Sequence, residues 1–255
     1  MKFLKHCLVF VLIKSGVSYG QIVDIQSEVN KKVENGFSAV AMASWDRRTG
    51  SSDLSAATGS FLGRYRSDEH LLLAIYNEEF GKKSGVKFQE SRFQHLRYRY
   101  DFTSLLAGEV FAQEDFDRFR GYSSRRLFGA GPLLRLVDTK RRVLYTGLAY
   151  MKEYETLTQE NALSNGDTKK ETSRASFSVA YLENLSETAS INASIYYQPS
   201  LESDDARSSV SIGAAFSLTD RLSYVFSGIW TKDTDPPLGI AQSELATKNG
   251  LKFVF

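Results

Sequence analysis

From Gly36 onward, apolar and polar residues alternate along most of the chain with a period of two. In 208–218, Val210, Ile212, Ala214, Phe216 and Leu218 share one face, opposite Ser209, Ser211, Gly213, Ala215 and Ser217. In 221–230, Leu222, Tyr224, Phe226 and Trp230 oppose Ser223 and Ser227. The same spacing sets Ala175, Phe177, Val179 and Tyr181 against Arg174, Ser176 and Ser178, and Ala189, Ile191, Ala193, Ile195 and Tyr197 against Ser190, Asn192 and Ser194. Such alternation is the signature of β-strands with two unlike faces. It predicts twelve strands, at 36–46, 53–66, 69–80, 86–101, 104–115, 122–137, 141–154, 170–183, 187–199, 207–218, 221–232 and 244–255. Each is long enough to cross a bilayer when tilted, which takes about 9–11 residues.

The connections alternate too. Short turns are expected at Ser67-Asp68, Phe102-Thr103, Asp138 to Lys140, Asn184 to Ser186 and Thr219-Asp220. Longer polar connections are expected at Arg47 to Ser52, Gly81 to Gly85, Phe116 to Gly121, Glu155 to Lys169, Ser200 to Ala206 and Asp233 to Ser243. Short turns at one rim and long loops at the other are what a transmembrane barrel shows. An even strand number puts both ends at the short-turn rim, the periplasmic one. Two strands are less regular. Leu71-Leu72-Leu73 has no clear period, and Gly129-Ala130-Gly131-Pro132 falls mid-strand, where Pro132 forfeits a ladder bond and a bulge is expected to accommodate it.

Alternation alone does not say which face is inside. A barrel in lipid turns its serines inward and its apolar residues outward, whereas a soluble β-protein reverses the sense. Composition favours the membrane: 17 Phe and 13 Tyr against 4 Pro, with no apolar run long enough for a spanning helix. A net charge of +2 gives no strong pull on nucleic acid.

Lys2 and Lys5, the apolar run Cys7 to Ile13 and the small residues before Gly20 describe a signal peptide over 1–20. The chain's single cysteine, Cys7, lies inside it. Residues 21–35, with Ile22, Ile25 and Val29 on one face, read as a short periplasmic leader, and 36–255 as the barrel domain. The last strand resembles the C-terminal sorting signal of bacterial outer-membrane barrels, with Lys248, Gly250, Phe253 and Phe255 in its places. That resemblance implies docking on the barrel-assembly machinery. The expected surroundings are outer-membrane lipid and lipopolysaccharide, for a monomer.

Candidate chemistry concentrates in Gln94 to Asp101, where His95, Arg97, Arg99 and Asp101 share one face and Leu96, Tyr98 and Tyr100 the other. Charges facing lipid are costly, so the charged face should be the lumen. Glu109 should point the same way, as should Arg135, Arg142 and Arg174. Two readings stay open: a charged pore lining that leans towards anions, or a salt-bridge network that braces the wall. No cofactor fingerprint is present, and Glu202, Asp204 and Asp205 lack metal-ligand spacing. Leu163-Ser164-Asn165-Gly166 lacks the histidine of an outer-membrane lipase motif, because position 162 is Ala. The chain therefore reads as non-enzymatic, with a lipid hydrolase or a soluble periplasmic ligand-binding β-protein as the alternatives.

Leu96 to Asp101, Val110-Phe111, Gln113-Glu114-Asp115, Arg126 and Gly129-Ala130-Gly131, in that order, resemble the salt-induced outer-membrane protein family, domain of unknown function 481. The resemblance covers about 36–255. It implies an all-β, transmembrane, antiparallel up-and-down barrel with no assigned activity and no catalytic residues to carry over.

Overall fold

The computed structural model describes residues 35–50, 53–162, 166–219 and 221–253. The signal peptide, the leader up to residue 34, Ser164 and Phe255 lie outside the described residues, and for Phe253 only the backbone is described. Twelve strands follow one another: β1 (Gly36–Arg48), β2 (Leu54–Ser67), β3 (His70–Lys83), β4 (Val86–Asp101), β5 (Leu106–Asp117), β6 (Tyr122–Asp138), β7 (Arg142–Leu157), β8 (Lys169–Asn184), β9 (Ala189–Pro199), β10 (Ala206–Ser217), β11 (Leu222–Asp233) and β12 (Ser243–Phe253). They form one sheet in sequence order, every neighbouring pair antiparallel. The fold is thus all-β and up-and-down, with all twelve expected strands in place to within a few residues.

Two local expectations are corrected. The connection after β3 is a two-residue turn, Ser84-Gly85, rather than a loop from Gly81. Both residues have positive φ, 48° and 82°, the backbone of a tight hairpin turn whose twist matches the strands. β3 therefore runs on to Lys83, through an irregularity at Gly81/Lys82. The bulge expected at Pro132 is also absent. β6 shifts register against β5 between Asp115 and Asp117, and against β7 at Tyr122/Ser124 and Arg135/Val137. At Pro132 the register with β5 is unbroken, with Gly108 opposite Pro132 and Glu109 opposite Gly131. Towards β7 the pairing steps from Ala130–Tyr150 straight to Leu133–Gly147. The missing N–H is thus accommodated by a local gap in the ladder, not by an extra residue.

Burial decides which face is inside. Arg125, Arg174 and Glu153 are 0 % exposed, while Phe128, Ile195 and Ile212 are 53, 50 and 52 % exposed. The same inversion repeats from strand to strand: His95, Arg97 and Arg99 are buried, and Leu96 and Tyr98 between them are exposed. Buried apolar residues form only small clusters, such as Leu71, Leu73 and Phe93, and Ala107, Leu133, Val143 and Tyr145, with others, Leu127 and Met151 among them, set between the charges. A soluble β-protein places its alternation the other way round. The sheet curls about this charged side. Arg207 of β10 reaches Tyr122 of β6, and Arg120, in a single 3-10 turn after β5, is bonded to Glu244 at the start of β12. Packing is densest from β3 to β10; no residue of β1 is buried.

Gly131 faces this interior beside the ladder gap. A Cβ there would lie 2.0 Å from the Leu148 carbonyl oxygen and 2.6 Å from the Ala149 Cα, so only glycine lets the β7 backbone come this close. Gly131→Ala should therefore lower unfolding stability in detergent by about 1–3 kcal/mol, the usual cost of overpacking. The check is the denaturation midpoint of the refolded variant; an unchanged midpoint would show that β7 does not press on Gly131.

Candidate functional site: a buried ion network

The antiparallel register places inward residues of neighbouring strands opposite one another, and these carry the charges. Near the rim that holds the strand ends Asp101 and Asp138, Glu109 of β5 accepts from Arg97 Nη1 at 2.8 Å and from Arg99 Nη2 at 2.6 Å, both on β4. Asp101 is bonded to Arg66 of β2 at 2.7 Å and to Arg135 of β6. The guanidinium of Arg97 lies 5.0 Å from the Phe111 ring centre and that of Arg99 5.5 Å from that of Tyr145, adding cation–π attraction.

At the other rim the centre is Glu153 of β7. It accepts from Arg174 Nε of β8 at 2.6 Å and from Arg125 Nε of β6 and Arg207 Nη1 of β10, both at 2.5 Å. Arg207 also donates to Glu155 at 2.8 Å and to Asp233 of β11 at 3.0 Å. Arg174 continues to Asp205, in the β9–β10 loop, and Arg125 to Asp115 of β5 at 3.1 Å. Burial works against the charge of Asp205, but Arg174, Arg207 and Lys170 outweigh it and hold its carboxyl below the usual range.

The two groups are joined by side chains. Arg97 Nε donates to His95 Nε2 at 3.3 Å, His95 Nδ1 lies 3.2 Å from Gln113 Oε1, and Gln113 Nε2 donates to Asp115 at 2.9 Å. This sequence is satisfied by a neutral His95 with its proton on Nδ1. Beside it is a cavity of about 50 Å³ lined by His95, Arg97, Gln113, Arg125, Tyr196 and Gln198 among others. Gln198 Oε1 is buried and accepts no hydrogen bond from the described residues. At roughly 10–15 Å³ per probe sphere the cavity has room for three or four waters, which would serve that oxygen.

Of the residues singled out in sequence, His95, Arg97, Arg99, Asp101, Glu109, Arg135 and Arg174 all belong to this network. Arg142 does not. It lies on the face of Tyr181 and Glu183, bonded to Glu183 at 2.8 Å with half its side chain exposed, because its parity in β7 is opposite to that of Tyr145. Of the C-terminal residues, Lys248 and Gly250 pair with Ser227 and Val225 of β11, and Phe253 with Leu222. Sequence reasoning missed Arg125, Glu153, Glu155, Arg207 and Asp233. Arg207 was within reach, since it continues the Ser209–Ser211 face, as was Asp233, on the Ser227 face. Among the described residues no group of three His, Cys, Asp or Glu could hold a metal.

The family model described as "Protein of unknown function, DUF481" matches residues 41–255. The chain belongs to this family. The match carries no activity, and salt induction is no part of its description. No curated protein sequence matches the chain significantly. Similar solved structures include a NanC porin, 9 % identical, covering 85 % of this chain and 98 % of its own with a TM-score of 0.49. A second porin is 9 % identical over 78 % of this chain and 62 % of its own, with a TM-score of 0.40. Another solved structure, from work on in-meso crystallisation of membrane proteins, is 11 % identical over 87 % of this chain and 83 % of its own, with a TM-score of 0.39.

Removing one partner from a buried ion network leaves uncompensated charge and typically costs about 3–5 kcal/mol. Glu153→Ala takes one carboxylate from each of three buried guanidiniums and should lower stability on that scale. Glu114→Ala, which breaks a 2.9 Å exposed pair with Arg126, should cost no more than about 1 kcal/mol. Denaturation midpoints in one detergent compare the two; equal effects would refute the central place given to Glu153.

Proposed function

We propose that the protein is a non-enzymatic β-barrel of a Gram-negative outer membrane, with both chain ends at the periplasmic rim, whose interior charges brace the wall. The observation that carries this reading is the inversion of burial: paired Arg and Glu inside, Leu, Ile, Phe and Tyr outside. Such an outer surface has a favourable solvent only in lipid. The strands, 11–17 residues long, exceed the length needed to cross. On this reading the outer face meets outer-membrane lipid and lipopolysaccharide, the last strand docks on the barrel-assembly machinery, and the barrel acts as a monomer.

Bracing is favoured over an open pore because the arginines are matched by carboxylates on facing strands, so the excess of cations that would select anions is spent internally. A narrow channel is the second reading, supported by one observation: every residue of β1, on both faces, is exposed. A soluble ligand-binding protein would need the opposite burial. A lipid hydrolase would need a histidine beside its nucleophile, whereas His95 is engaged by Gln113 and Arg97, and His70 by the Tyr98 hydroxyl at 2.7 Å.

The protein should fractionate with outer membranes, migrate faster on gels unheated than boiled, and give little or no single-channel conductance after reconstitution. Arg97→Ala with Arg99→Ala should lower the temperature at which the fast-migrating form is lost. A large conductance whose ion selectivity these substitutions change, at unaltered thermal stability, would replace bracing by a pore.

A further inference from the structure

Lys140-Arg141-Arg142 is the only run of three basic residues in the chain. It leads into β7 at the rim of Asp101 and Asp138, and Arg142 lies on the apolar outer face. At the same rim the turns after β4, β8 and β10 carry exposed Phe102, Leu105, Leu185 and Leu218 instead. Exposed apolar side chains this close to the strand ends set the rim at the edge of the hydrocarbon, the level of lipid headgroups.

The basic run is built around one carboxylate. Arg142 Nε donates to Glu183 of β8 at 2.8 Å, and Arg141 Nε lies 3.4 Å from the same oxygen. The Tyr181 hydroxyl donates to the second oxygen. Glu183 is thereby buried with both oxygens engaged, while each arginine keeps more than half of its side chain exposed. Among the described residues no other carboxylate forms an ion pair with either arginine, and none pairs with Lys140; Asp138 and Glu187, in the adjoining strand end and the facing turn, form none with the three. Glu183 thus fixes the two guanidiniums at their Nε edge, and the N–H groups of such a fork suit a phosphate. A hollow of about 630 Å³ adjoins them, lined by Lys140, Arg141, Asn184, Ser186 and Thr188 among others, with amide and hydroxyl groups for a polyol head.

From the Arg142–Glu183 pair the outer face continues as Leu144–Tyr181, Thr146–Val179, Leu148–Phe177 and Tyr150–Ala175. Leu148, Tyr150, Phe177 and Val179 are exposed. Eight residues of a strand tilted by about 40° rise about 20 Å, enough to accompany the roughly 15 Å of one leaflet's hydrocarbon. Cations at the headgroup end of an apolar column match an anionic amphiphile, whereas a free anion would leave the column uncovered.

We propose that Lys140, Arg141 and Arg142 hold the phosphate of an anionic diacyl phospholipid of the periplasmic leaflet, with an acyl chain along the Leu144–Tyr150 face of β7. The proposal rests on the reading of this rim as periplasmic and of the outer face as lipid-exposed.

The test is native mass spectrometry of the full mature protein, released from detergent with added dioleoyl phosphatidylglycerol or dioleoyl phosphatidylcholine. One phosphatidylglycerol should be retained about tenfold more strongly than phosphatidylcholine. Lys140→Gln, which breaks no ion pair among the described residues, should weaken its retention about fivefold, and Arg141→Gln with Arg142→Gln about thirtyfold, at roughly a factor of five per basic residue near a membrane surface. Arg126→Gln, at the opposite rim, should leave it unchanged. Equal retention of the two lipids, or retention of phosphatidylglycerol unaltered by the arginine substitutions, would mean annular contact only and would overturn the site. Inorganic phosphate held as tightly as phosphatidylglycerol would overturn the lipid assignment in favour of a small-anion site. Heat-modifiable migration is measured on every sample: a barrel that keeps it without lipid preference refutes the site alone, whereas its absence in the unmutated protein refutes the barrel reading itself.

Discussion

Glu153 is held by three guanidiniums from three different strands, β6, β8 and β10, at 2.5–2.6 Å. Charges removed from water are tolerated only when paired and hydrogen-bonded, because desolvation costs several kcal/mol per ion. The pairing here needs Arg125, Arg174 and Arg207 on the same side of the sheet, which the antiparallel register provides and a one-residue slip would abolish. Once that parity is set, the intervening residues have no choice of face. Leu148, Phe177, Ile195 and Ile212 must point away from the ions, and they are exposed. The apolar character of the outer surface is thus the complement of the ionic interior.

The interior is also polarised along its length. Near the rim of Asp101 and Asp138, Arg66, Arg97, Arg99 and Arg135 gather around Asp101 and Glu109. Near the other rim, Arg125, Arg174 and Arg207 face Asp115, Glu153, Glu155, Asp205 and Asp233. The His95–Gln113 link joins the cation-rich end to the carboxylate-rich end through hydrogen bonds, with the small cavity alongside. Next to this junction, at Gly131-Pro132, a glycine admits the neighbouring backbone and a proline withholds a donor.

Most of the fold was legible in the sequence because period-two alternation survives wherever one face is charged or serine-rich and the other apolar. All twelve strands appear in order, and the face of His95, Arg97, Arg99 and Asp101 is the inner one. What alternation could not supply was the identity of the inside. That required knowing which residues meet, such as Arg207 with Glu153 across two intervening strands. Cross-strand meetings depend on register, and register depends on bulges that leave little trace in sequence. Three such shifts alter the β5–β6–β7 region, and neither Arg125 nor Glu153 was singled out there. Ser84-Gly85 read as a longer loop because the polar Lys82 and Lys83 before it resemble loop residues, although they finish a strand. Arg142 was assigned by its charge, and its parity puts it on the other face.

The direction of the faces is measurable by fluorescence quenching in vesicles of brominated lipid, with Trp45 and Trp230 replaced by Phe so that one introduced tryptophan reports. Ile212→Trp, on the apolar face of β10, should be strongly quenched. Ser227→Trp, on the opposite face of β11, should be quenched little. The reverse pattern, with Ser227→Trp quenched and Ile212→Trp protected, would contradict a charged interior inside a lipid-facing wall.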